Sequence, residues 1–98
     1  MSNQIFTVVT LTARDGQFDA LKEVVKELAR ATRNEPGAQE YLIIEDAATP
    51  NTVFSIEKWE NETEEAKHWE MPHLKEALAK MEPLLGAAPV VRKGKLLI

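Results

Sequence analysis

What most constrains this chain is the order in which its apolar spacing changes. Alternating β-branched and aromatic residues fill 5–13, a helical stripe fills 17–33, and two further alternating runs occupy 39–46 and 52–60. Helical spacing then returns between about 61 and 85, and a last β-rich run, VVRKGKLLI, covers 90–98. Period 2 marks strands and period 3.6 marks helices, so the pattern predicts β-α-β-β-α-β.

Each run carries its own local signals. In IFTVVTLTA one strand face holds Ile5, Thr7, Val9 and Leu11, and the other holds Phe6, Val8, Thr10 and Thr12. Both faces are largely apolar or neutral, which predicts a strand covered on two sides, one of them by a partner subunit. Phe18, Leu21, Val24, Val25, Leu28 and Ala31 share one helical stripe, and Asp15 is the expected cap. Asn34-Glu35-Pro36-Gly37 should end that helix, since the residue before proline avoids helical geometry. A turn around 48–51 should join the next two strands into a hairpin, with Val53, Ser55, Glu57 and Trp59 on one face of the second. Asn61 or Thr63 should cap a short helix running to about Met71, where Pro72 interrupts. Leu74, Ala77, Leu78, Met81, Leu84 and Leu85 then form a second stripe.

This order predicts an α+β, ferredoxin-like fold: one antiparallel sheet with the helices on one face, in a single domain spanning 1–98. Nothing in the sequence covers the other sheet face, and it is too apolar for water. A second copy of the chain is the expected cover, giving a homodimer.

Several function classes are excluded early. Without cysteine there is no disulfide, thiolate nucleophile or cysteine–metal site. A formal charge of −4 argues against nucleic acid and anionic membrane as partners. The start, MSNQIFTVVT, lacks the basic, unbroken apolar character of an export signal, so a cytoplasmic location is expected. No phosphate-cradling glycine loop or dinucleotide fingerprint is present.

The chemistry-bearing residues are concentrated in EKWENETEEAKHWEMPH, which holds both tryptophans and both histidines. Either His68 or His73 suits general-base work near neutral pH. On spacing alone, Glu64 and His68 read as a solvent-exposed i,i+4 pair; the functional alternative is a base oriented by Glu64. In an unbroken helix His68 and His73 would diverge by roughly 140°, and no third histidine or cysteine exists, so no metal site is expected. Trp59 and Tyr41 suit either core packing or an aromatic wall for a planar ligand.

Three stretches resemble the antibiotic-biosynthesis-monooxygenase family of dimeric α+β barrels. These are ARDGQFDAL, TRNEPGAQEY with Glu35, Gly37 and Tyr41, and FSIEKWENETEEAKHWEMPHLKEAL with Glu57, Trp59, His68, Pro72 and His73. The resemblance implies a homodimer joined through sheet faces, with a cavity between sheet and helices. It also implies a cofactor-independent monooxygenase that acts on a quinol or other electron-rich phenol with dioxygen. His68 would be the base or oxyanion partner, His73 a secondary candidate, and Trp59 and Tyr41 would line the substrate pocket. Two alternatives accompany it: an isomerase of a small phosphorylated metabolite, and a non-catalytic dimeric module that binds an aromatic ligand. Haem-degrading relatives carry an asparagine in the first strand; here Asn3 precedes that strand.

Overall fold

The computed structural model describes residues 3–98. Its elements are β1 (Ile5–Thr12), α1 (Phe18–Thr32), β2 (Ala38–Glu45), β3 (Thr52–Trp59), α2 (Glu62–Glu70), α3 (Pro72–Met81), a 3-10 turn at Glu82–Leu84, and β4 (Val90–Gly94). The sheet runs β2-β3-β1-β4, and every neighbouring pair is antiparallel. The expected α+β, ferredoxin-like arrangement is therefore what the chain adopts.

The helices cover one sheet face. Leu21, Val25 and Leu28 of α1 pack with Leu74, Ala77 and Met81 of α3 over Leu11 and Val53, forming the main core. A second cluster joins Ile5, Ala29, Tyr41 and Trp59 at the end of the sheet. On the other face, Phe6, Val8, Ile44, Phe54 and Ile56 are half-buried and Leu42 and Val90 are exposed, with no helix over them.

Two local expectations need correction. Asp15 does not cap α1: Gly16 takes φ 80° in the preceding turn, and Gln17 occupies the cap position without a side-chain hydrogen bond. The last strand ends at Gly94 and does not continue to residue 98. Its partner β1 begins at Ile5 and pairs Phe6 with Gly94, so the chain soon has no neighbour to bond. Leu96, Leu97 and Ile98 consequently lie exposed, Leu97 at 96%. The break expected at Pro72 is present: α2 and α3 are two helices, with Met71 extended between them and Pro72 at the start of α3. Proline there loses no helical hydrogen bond, and its fixed φ suits a first turn. Asn61 caps α2 as expected, accepting from the Glu64 amide.

Candidate active site

The break at Pro72 determines what the site contains. His68 sits in the last turn of α2 and His73 in the first turn of α3, and the change of direction swings both rings toward the turn that follows α1. That turn carries Glu35. Its Oε2 lies 2.7 Å from His68 Nδ1 and 2.7 Å from His73 Nε2. His68 is 2% exposed and Glu35 8%, so neither is the surface group that the Glu64–His68 spacing suggested. Glu64 instead pairs with Lys67 at 3.3 Å. The divergence expected of an unbroken helix does not hold, because the helix is broken.

Around His68 the rings interlock. Trp59 lies 4.8 Å away, centroid to centroid, Tyr41 meets it edge-on at 5.7 Å, and Trp69 at 6.0 Å. Behind them Glu57, 1% exposed, accepts from Trp59 Nε1 at 2.9 Å and from Ser55 Oγ at 2.6 Å. Burial raises the Glu57 pKa above the usual carboxylate value; those two hydrogen bonds and the nearby His68 partly oppose the rise. Ser55 also accepts the Val9 amide at 3.0 Å, where β1 and β3 leave their ladder between the Thr7–Glu57 and Thr10–Phe54 pairs. Burial, reinforced by the Glu57 charge, pushes the Tyr41 phenol far up, so it stays a neutral donor. Thr32 opposes that shift from α1, yet among the described residues its hydroxyl is the buried side-chain oxygen without a well-formed hydrogen bond. A third buried carboxylate, Glu65, is satisfied by Trp69 Nε1, Thr7 Oγ1 and Lys93 Nζ at 2.7, 3.3 and 3.1 Å.

His68 borders a cavity of about 100 Å³ between the sheet and the helices. Its walls are almost wholly aliphatic and aromatic, with Val9, Leu11 and Val53 from the sheet and Leu74, Leu78 and Met81 from α3. Among the described residues, the polar members of its lining are Tyr41, Ser55, Glu57 and His68. Exposed Leu78, Pro89 and Val91 mark its mouth. Tyr41 and His68 thus stand at the cavity wall. Trp59 lies one layer behind His68, and His73 opens elsewhere, into a hollow beside Glu27, Glu76 and Lys80. Glu35 stood out in the sequence only through the family resemblance. A clue was its place two residues before glycine in a helix-ending turn, but nothing local pointed it at a histidine.

Glu35, His68 and His73 also form a His₂–carboxylate donor set whose ligand atoms lie within 4.8 Å of one another. The arrangement is centred on an oxygen. Two ring nitrogens converge on Oε2 at hydrogen-bond distance, whereas donors around one ion with bonds of roughly 2.1 Å can stand no more than about 4.2 Å apart. The geometry is that of an imidazole–carboxylate–imidazole hydrogen-bond chain.

Comparisons with known proteins agree with this architecture. A sequence profile of the antibiotic biosynthesis monooxygenase family matches residues 4–80. Among solved structures, a candidate antibiotic biosynthesis monooxygenase of Nitrosomonas europaea superposes with a TM-score of 0.92 at 18% identity, covering 99% of this chain and 93% of that one. A Pseudomonas aeruginosa protein gives 0.91 at 23% identity, covering 100% and 98%. A Mycobacterium tuberculosis protein gives 0.91 at 20%, covering 97% and 96%. At such identities the likeness speaks for the fold. No curated protein sequence matches significantly.

Proposed function

Because the chain belongs to the antibiotic biosynthesis monooxygenase family, we propose that it is a cofactor-independent monooxygenase of a single-ring quinol or similarly electron-rich phenol, with dioxygen as co-substrate. One observation carries the reading. His68 stands at the wall of an apolar cavity with Nδ1 engaged by Glu35, which leaves Nε2 as the ring nitrogen for a ligand. A carboxylate beside Nδ1 favours the Nδ1–H tautomer, and that makes Nε2 the basic atom.

The chemistry follows from those groups. Nε2 takes the phenolic proton, and Glu35 stabilises the imidazolium that forms. The electron-rich ring anion gives an electron to dioxygen, and the resulting pair joins through a ring carbon–oxygen bond. Loss of water then leaves a quinone. The substrate loses four electrons and dioxygen gains four; one oxygen stays on the ring and the other leaves as water with two substrate hydrogens. The apolar walls keep bulk water from the anion, and neutral Tyr41 supplies a hydrogen-bond donor. Dry cavities on the order of 150 Å³ take up benzene, so a void of this scale suits one ring, with any further bulk left at the mouth.

The isomerase alternative needs a phosphate site. Arg14, Arg33 and Arg92 are absent from the cavity lining, and both Arg33 contacts to the Tyr41 carbonyl, at 3.0 and 2.8 Å, occupy its guanidinium. The aromatic-binding alternative shares the cavity and differs only in turnover. We also propose the homodimer, formed through the apolar sheet face opposite the helices. Oxygen uptake with a panel of quinols tests the reading on wild type and His68→Gln. Uptake that survives the substitution removes His68 from the mechanism, and no uptake with any quinol removes the oxygenase.

A further inference from the structure

The two imidazoles of the cluster face different surroundings. His68 is 2% exposed and borders the apolar cavity. His73, with 28% of its side chain exposed, borders a separate hollow of about 110 Å³ between α1 and α3. Exposed Glu27, Glu76 and Lys80 line that hollow, so it is wet and offers two carboxylates as proton acceptors. Between the rings stands a single atom, Glu35 Oε2, 2.7 Å from each. Such distances suit charge-assisted hydrogen bonds, along which protons hop without heavy-atom movement.

We propose that Glu35 and His73 form a proton conduit linking the buried His68 imidazole to solvent. The steps are local. His68 Nε2 accepts a proton from the ligand, His68 Nδ1 passes its own to Glu35 Oε2, and Oε2 passes it to the unprotonated Nε2 of His73, which starts as its Nδ1–H tautomer. His73 Nδ1 releases one to the hollow. One proton leaves for each one received, and no electron moves.

Its use in turnover rests on the oxygenase reading. Over a complete cycle the protons balance, since both substrate hydrogens end in water. Within the cycle the conduit separates charge: with the proton exported, the ring anion no longer faces an imidazolium that would reprotonate it before dioxygen reacts. The same route returns the proton to the peroxide oxygen. His73 acts here through Glu35 and His68, and touches no substrate.

The test separates this idea from the oxygenase reading. His73→Gln keeps a hydrogen-bonding side chain beside Glu35 but cannot take up and release a proton. Solvent exchange of the His68 Nδ1–H, followed by NMR, should slow several-fold in this variant. Exchange of the Trp59 Nε1–H, which lies off the chain, should stay unchanged; a merely structural effect would move both. Quinol turnover should fall about tenfold, and added imidazole should restore it in His73→Gly. Unaltered His68 exchange overturns the conduit whatever the activity. Slowed exchange with unaltered turnover overturns its part in catalysis. Slowed exchange in a protein that oxidises no quinol supports the conduit and removes the oxygenase instead.

Discussion

Glu35 and His68 stand 33 residues apart in the chain, yet Oε2 of one lies 2.7 Å from Nδ1 of the other. The turn after α1 carries the carboxylate and the last turn of α2 carries the ring, so the contact exists only once both helices lie on the sheet. Its chemical weight lies in the charge, which fixes the tautomer and stabilises the protonated ring.

Glu35→Gln keeps the size of the side chain and removes that charge. Quinol-dependent kcat should fall on the order of 10²-fold with little change in KM, because the loss falls on the proton transfer and spares ring binding. Steady-state oxygen uptake measures both constants; an unchanged kcat refutes the dyad.

Glu57 gives the fold a pH signature. Its native pKa lies above the ordinary 4.5 because burial disfavours the charge. The native state therefore holds this proton more tightly than the unfolded chain. That contribution is fully present below pH 4.5 and is lost as pH rises through the higher native value. Glu57→Gln has no charge to bury, so its stability relative to wild type should improve as pH climbs above 4.5. Urea midpoints measured from acid to neutral pH give the comparison, and a constant difference would count against it.

Gly37 lies under α2, and a Cβ there would collide with Cβ and Cγ of Glu64. Those atoms are close to the backbone and cannot swing aside. Gly37→Ala should therefore destabilise by about 1–3 kcal/mol, and it should disturb His68 through the displaced helix. Denaturant unfolding reads the first effect and the His68 NMR resonances read the second.

Phe54 and Ile56 lie on the uncovered sheet face with Phe6 and Val8. Sedimentation should show a dimer for the wild type, and Phe54→Glu should drive it to monomer, since each interface would bury two unpaired carboxylates. A wild-type monomer at micromolar concentration removes the sheet-to-sheet dimer.

The order of elements was legible because each segment has its own period and Pro36 and Pro72 punctuate it in the right places. Burial of Leu21, Val25, Leu28, Leu74 and Met81 follows from their stripes. The site was harder to read. His68 looked exposed because its own helix is polar, with Glu62, Glu64, Glu65 and Lys67 around it; only tertiary contacts reveal that one side of that helix is buried. Nothing local sets Glu65 apart from its acidic neighbours, yet Thr7 on β1 and Lys93 on β4 make it an internal tie. Period can assign a residue to a face, but it says nothing about a partner 33 positions away.

Ser55 gives the cavity two unlike walls. Its hydroxyl replaces a main-chain rung for Val9 and also anchors the Glu57 carboxyl, so the sheet side tolerates little change: altering one polar group there loosens a strand. Leu74, Leu78 and Met81 on the opposite wall carry no such duty. Retuning this protein to accept a differently shaped ring should thus proceed along α3, where side chains can be swapped while the polar machinery stays as it is.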